Sequence, residues 1–429
     1  MLKIEDFGVE KNSGVLSNGS KIFHYYRPNM PISTAVLFDA GSSHDPVGKE
    51  GLAHFAEHIL FKSTQKFRDE TEAGLFLESI GGQANAFTGV DLLGVTAEVG
   101  VKSDYPKVVE FIHELVRKSL FEEERIDIER GTILGEIADY ESNPAFYIQD
   151  LNQQLLFQST YASRSIAGTK ETVLDISRDD LFNFYSSRIA NSNMIIIVAG
   201  GIEFNDTVNL FNNAFNNEKF PEINIVKPDL SFSTNERSKI KVYKDTDQVF
   251  LNFSFRTCNY NNDDNAVLSV IRKMIGSGFS SSLFRKLRTE NGLVYSLSVS
   301  SEGSFDRGYF STTTSTSKDK VKKVLEVIND EFERLRNGDI REDELELAKN
   351  KIMKSKIRDL QTSDSWVGAH LSEVFFNTEA PKDIAEVLNE IERVCINDVV
   401  SVSKKYFTQD NIYLSACGDL AESDINLNL

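Results

Sequence analysis

The spacing of apolar positions along the chain switches repeatedly between two periods. Residues 19–27 (GSKIFHYYR) and 34–42 (TAVLFDAGS) are apolar runs with strand character, and the break at 28–31 predicts a turn that pairs them. Helical stretches are expected over 51–62 and 70–80, and alternation over 84–99 predicts two short strands. Further helices are expected at 105–119, 122–142 and 179–188, and the unbroken apolar run 194–199 reads as a buried strand.

The end of this half recurs later in the chain. ISRDDLFNFYSSRIANSNMIIIVAGGI and CINDVVSVSKKYFTQDNIYLSACGDL share one order: an acid-capped helix, an aromatic or basic cluster, Asn, an apolar strand, then Gly. Asn193 to Gly200 and Asn411 to Gly418 are both seven apart. Upstream, EEERIDIERGTILGEI aligns with EDELELAKNKIMKSKI at an offset of 219, pairing Ile126 with Leu345, Ile133 with Ile352 and Leu134 with Met353. Self-similarity on this scale marks a duplicated unit. The expected fold is α+β: two homologous domains, 1–215 and 239–429, each an antiparallel-dominated sheet with helices packed on one face. The stretch 212–239 is rich in Asn, Lys, Ser and Pro and lacks periodicity, so 216–238 is the expected linker.

Length and composition narrow the classes. A chain of 429 residues has room for two or three domains, and 40% hydrophobic with 26% charged residues is ordinary globular composition. Lys and Arg number 47 and Asp and Glu 65, which leaves −18 and argues against nucleic-acid and anionic-membrane partners. Cys258, Cys395 and Cys417 are too few and too scattered for a disulfide framework or a CxxC metal site. The start, MLKIEDFGVEKNSG, has the pattern of neither a signal nor a transit peptide, and no run approaches the roughly 20 apolar residues of a membrane span. The expected compartment is the cytoplasm.

Chemistry enters at His54-Phe55-Ala56-Glu57-His58, inside the first predicted helix. At 100° per residue, His58 lies about 40° from His54 and Glu57 about 60° to the other side, so the three share one face. Two imidazoles one turn apart can reach one zinc ion, and the adjacent carboxylate suits a base that serves water. With only six His in the chain, this pattern arises by chance in about one sequence per hundred. Catalytic zinc usually takes three protein ligands. The helix at 122–142 offers Glu129 and Glu136, about 20° apart on one face, but spacing does not raise Glu136 above Glu129, Glu122, Glu123, Glu124 or Glu141.

The motif His54-x-x-Glu57-His58, followed 78 positions later by Glu136 within ERGTILGEI, resembles the pitrilysin and mitochondrial-processing-peptidase family of zinc peptidases. The resemblance implies that His54, His58 and Glu136 bind one zinc ion per chain, that Glu57 is the catalytic base, and that Glu129 supports the site. The spacing to Glu136 is slightly longer than the family's, consistent with a small loop insertion. Phe61-Lys62-Ser63-Thr64 follows the motif where the family usually has Gly at the third place. The segment 81–99 (GGQANAFTGVDLLGVTAEV) is similar to the family's edge strand. An exposed edge can accept an extended peptide as an added strand. The resemblance gives Asn85 and Ala86 the substrate backbone and Phe87 a side-chain pocket. The segment 277–299 (SGFSSSLFRKLRTENGLVYSLSV) is similar to the family's Gly-Ser-rich loop with an Arg and a Tyr seven apart, here Arg288 and Tyr295. These two are implied to close on the substrate from a different domain.

The repeat places Lys273, Gly276 and Ser277 opposite His54, Glu57 and His58, and Ser355 opposite Glu136. The second half therefore keeps the scaffold without the chemistry. His24, His44, His113 and His370 stand alone, and single Trp366 reads as packing. The expectation is a zinc endopeptidase that cuts short or unfolded peptides inside a two-chain chamber, as a homodimer in which Arg288 and Tyr295 of one subunit approach the zinc of the other. The alternatives are a non-catalytic peptide-binding or assembly subunit of the same fold, or one subunit of a heterodimeric peptidase. The same ligands would also accept manganese or cobalt.

Overall fold

The computed structural model describes residues 2–215, 236–421 and 424–425. Most of the expected linker, 216–235, lies outside the described residues. The chain divides into two units: 1–137, 165–226 and 357–385 form one, and 138–164, 227–356 and 386–429 form the other.

The first unit is built on six strands, β1 (Glu10–Val15), β2 (Lys21–Tyr26), β3 (Ile32–Phe38), β4 (Gln83–Thr88), β5 (Leu93–Val99) and β6 (Ile195–Gly200), in the order β1-β2-β6-β3-β5-β4. All neighbours are antiparallel except β2 and β6. The predicted pairing of the segments 19–27 and 34–42 is therefore corrected: β6 lies between β2 and β3 and bonds to both. The short 27–31 connection steps over the width of one strand, and the most apolar strand of the half fills that gap. β1 escapes prediction because EKNSGV has no apolar alternation, being an edge strand with mostly exposed or half-buried residues.

Helices α1 (Leu52–Leu60), α2 (Glu70–Glu78), α3 (Tyr105–Lys118) and α4 (Glu123–Ser142) contribute to the core on one face of this sheet. Ile22, Ile32, Val36, Phe38, Ile196 and Val198 point into that core. The alternate residues of the central strands, such as Tyr25, Leu37 and Ile197, are equally buried. They face the helix Ser363–Phe376, which packs across β3 and β6 and comes from the far half of the sequence. Tyr25 stacks on His370 of that helix with ring centroids 4.1 Å apart, and Trp366 is buried beside them. The fully buried β3 and β6 are thus apolar without alternation because both of their faces are covered.

The second unit repeats the plan. Strands β7 (Ser238–Val242), β8 (Val249–Thr257), β9 (Ser296–Gly303), β10 (Gly308–Thr316) and β11 (Ile412–Gly418) run β7-β11-β8-β10-β9, with β7 and β11 parallel. This matches β2-β6-β3-β5-β4 strand for strand. Its core is aromatic, with Phe332 and Phe407 4.9 Å apart and Phe407 5.0 Å from Phe310. Helix α5 (Pro144–Leu156) packs across β8 and β11, as Ser363–Phe376 does across β3 and β6. The two helices begin 219 residues apart. The duplicated units therefore exchange equivalent helices, and neither coincides with one half of the sequence. Among the described residues no helix is long and apolar enough to cross a membrane.

Candidate metal centre

Helix α1 buries Leu52, Ala53, Phe55, Ala56, Ile59 and Leu60, which leaves His54, Glu57 and His58 on its less buried side. Its start is anchored by Asp45, whose carboxylate accepts from the Gly51 and Ala53 backbone N–H groups at 2.9 Å each. Gly51 has φ +97°, and a Cβ there would stand 2.6 Å from the Ala167 carbonyl oxygen, so glycine is required at this bend. Helix α4 buries Ile126, Glu129, Ile133 and Ile137. Glu129 thus lies within an apolar stripe, and Glu136 stands at its edge with a half-exposed side chain.

These two helices bring three donor atoms together. His54 Nε2 and His58 Nε2 are 3.2 Å apart, and Glu136 Oε2 lies 4.0 Å from the first and 3.8 Å from the second. Ligands bound at 2.0–2.1 Å to one tetrahedral ion are separated by about 3.4 Å, so the triangle has the right size for zinc. The hydrogen bonding fits as well. The His58 Nδ1–H donates to Glu129 Oε1 at 2.7 Å, which leaves the lone pair on Nε2. The buried Nδ1 of His54 has no hydrogen-bond partner, while its Nε2 faces that of His58. Two facing imine nitrogens beside a carboxylate suit a shared cation. Among the described residues these three form the one group of His, Cys, Asp and Glu close enough to hold a metal.

Electrostatics differentiate the residues. Burial, aided by the neighbouring His58, lowers the His54 pKa to about 4, so its ring is neutral near pH 7. Burial also depresses His58, but the Glu129 hydrogen bond and the carboxylates of Glu57 and Glu136 outweigh it and raise the value. Burial pushes Glu57 above the ordinary carboxylate range, partly opposed by the Thr88 hydroxyl, which donates to Glu57 Oε2 at 2.8 Å. Burial likewise pushes Glu129 up, but its bonds from His58 and Lys62 bring it below the ordinary range.

Asn85, Ala86 and Phe87 sit on β4, which is bonded to β5 and forms an edge of the sheet. Asn85 is exposed and its Oδ1 accepts from the Ala86 N–H at 2.9 Å. The Phe87 ring lies over Gly94, where a Cβ would meet it at 2.4 Å. Thr88, at the end of the same strand, ties this edge to the centre through Glu57. Arg288 and Tyr295 belong to the second unit. Both are exposed, with the Arg288 guanidinium 5.3 Å from the Phe284 ring and the Tyr295 N–H donating to the Ser315 carbonyl. The first unit thus gathers His54, Glu57, His58, Glu129 and Glu136, and Arg288 and Tyr295 are not part of it. Sequence reasoning passed over Thr88 and Lys62. Position 88 ends an alternating strand and carried no signal. Lys62 lies two residues past the end of α1 and meets its partner Glu129 only through the fold, so it carried no signal either.

The chain is similar over residues 24–170 to a family model described as insulinase (peptidase family M16), and over 175–352 to one described as the peptidase M16 inactive domain. It is 27% identical over 412 residues to an uncharacterized zinc protease of Rickettsia bellii, covering 94% of this chain and 96% of that one. It is 26% identical over 403 residues to the uncharacterized zinc protease YmxG of Bacillus subtilis, covering 92% and 95%. Among solved structures, a protease from Helicobacter pylori matches with TM-score 0.87 at 19% identity, covering 96% of this chain and 99% of that one. A chain of complex III from Candida albicans matches with TM-score 0.83 at 17% identity, covering 97% and 98%. At these identities the structural matches speak for the fold alone.

Proposed function

The chain belongs to the M16 peptidase family, and from that premise we propose that it is a zinc-dependent endopeptidase acting on short or unfolded peptides. The observation that carries this reading is the meeting of His54, His58 and Glu136 around one point, with the carboxylate of Glu57 one residue before His58 on the same helix face. His54, His58 and Glu136 would hold the ion, and Glu129 would fix the His58 ring. A divalent ion there acts as a Lewis acid toward the scissile carbonyl and makes water more acidic. Glu57 takes the proton of the attacking water and returns it to the departing amine. Its raised pKa brings it nearer the operating pH, and the Thr88 hydroxyl occupies Oε2, which leaves Oε1 for the water.

Substrate binds as an added strand on β4, with Asn85 and Ala86 contacting its backbone and Phe87 a side chain. The edge position of β4 supports this assignment. The second unit contributes substrate contacts and donors to the reacting carbonyl, while the first unit holds the ion and the base. Arg288 and Tyr295, each exposed and able to donate, would steady the substrate and the developing oxyanion. In a homodimer these two residues would serve the site of the partner chain.

One substitution tests the reading. Glu57→Gln should retain zinc by elemental analysis and lower kcat by about 10²–10⁴-fold. Substantial peptidase activity in this variant would overturn the role of Glu57. The fold also occurs in a chain of complex III and in a structure described as an M16 inactive domain from Pseudomonas fluorescens, which keeps a non-catalytic subunit as the second reading. Purified wild-type protein that carries zinc yet cleaves no peptide would favour that reading.

A further inference from the structure

Lys62 is the charged residue of the segment after the motif that no role above uses. It lies two residues past the end of α1, and its side chain is mostly buried at 20% exposure. Its ammonium stands 2.8 Å from Glu129 Oε2 and 2.6 Å from Glu70 Oε2. The other oxygen of Glu129 is the one 2.7 Å from His58 Nδ1. Both oxygens of a carboxylate only 5% exposed are therefore held, one by the ligand candidate and one by Lys62.

We propose that Lys62 is a positioning residue for the metal centre, acting on the ion through Glu129 and His58. A glutamate side chain held by one donor still turns about its terminal torsion, and a second donor stops that rotation. With Oε2 pinned, Oε1 faces Nδ1, the His58 proton stays on that nitrogen, and Nε2 is turned toward His54 and Glu136. Charge points the same way. Glu57, Glu129 and Glu136 place three carboxylates around the site. One ammonium together with one divalent ion balances them, whereas loss of the ammonium leaves a buried carboxylate underpaired. Glu70, 61% exposed, anchors the outer side of the ammonium. The inference rests on the reading that His54, His58 and Glu136 hold a divalent ion.

The test is the zinc dissociation constant, measured by chelator competition on the full chain. Lys62→Met should weaken zinc by about 10–100-fold, as loss of an outer hydrogen-bond partner of a metal ligand does. Lys62→Arg should recover most of that loss, and the KM for peptide should stay near wild type. Glu129→Gln should weaken zinc comparably. Adding Lys62→Met to Glu129→Gln should cost little more, because the two act along one path. Lys62→Gln serves the same comparison if Met at this depth prevents folding. Zinc affinity of Lys62→Met within about threefold of wild type, or losses that simply add in the double variant, would overturn this inference alone. A wild-type chain with no zinc affinity would overturn the metal-centre reading and this inference together.

Discussion

Five strands of each unit run in the same order beside equivalent helices, yet among the described residues only the first unit assembles the donors for a metal. In the first, α1 and α4 present two imidazoles and a carboxylate to one point, and Thr88 at the end of β4 bonds the carboxylate of Glu57. In the second, the helices Asp264–Gly276 and Glu342–Asp359 take those places. By the 219 offset of the sequence repeat Gly276 falls opposite Glu57, and a Cβ on it would lie 2.0 Å from Val299 Cγ2 on β9. The same offset puts Ser277 opposite His58, and the Ser277 carbonyl accepts from the Lys351 ammonium at 3.3 Å. Where one unit pairs an edge strand with a carboxylate, the other closes the space with an apolar contact and ties the helix end with a fixed cation. The scaffold is thus separable from the metal donors that one copy of it carries.

Substitutions at matched positions break this comparison most forcefully. His58→Ala should reduce zinc from roughly one ion per chain to background, and peptidase turnover with it. Ser277→Ala at the equivalent place should leave both unchanged. Equal zinc loss in the two variants, by elemental analysis, would mean the units are not divided as described. A smaller effect is expected from Gly276→Ala. In an exposed helix Ala would stabilise, but here the methyl group meets Val299, and overpacking should cost about 1–3 kcal/mol by urea denaturation. A stabilised variant would show that the second unit has room for a side chain where Glu57 stands in the first.

The smallest effect concerns pH. In the metal-free chain His58 is raised, so it favours the fold at pH below the ordinary imidazole value and loses that contribution as pH rises through its own. His54 is the reverse: its contribution is present above about 6.5 and lost as pH falls toward about 4. An imidazole must be neutral at Nε2 to bind zinc. Zinc uptake should therefore release the His58 proton below that residue's raised value, and affinity should climb with pH through that range. Calorimetry in buffers of different ionisation enthalpy counts these protons. Uptake without proton release at every pH would contradict the assignment of His58.

Much of this was legible beforehand for identifiable reasons. The duplication showed because both copies must make the same apolar strand and the same long helix, so Ile133 and Ile352 keep register. His54, Glu57 and His58 showed because helical geometry alone puts them on one face. Glu129 and Glu136 could be paired by their spacing of seven but not ranked, since an acid on a helix is ordinarily solvated. The burial of Glu129 depends on what α4 packs against. Lys62 and Thr88 matter only through partners far along the chain, Glu129 and Glu57.

Local periodicity and one-turn spacing are properties of neighbours in sequence, so the chain by itself determined most helices and strands of its first half, its repeat and the motif on α1. Contacts between distant segments depend on which surfaces bury each other. That decided the insertion of β6 between β2 and β3 and the exchange of α5 against Ser363–Phe376. It also decided that Glu136, rather than another acid of α4, stands within 4.0 Å of the Nε2 atoms of both His54 and His58.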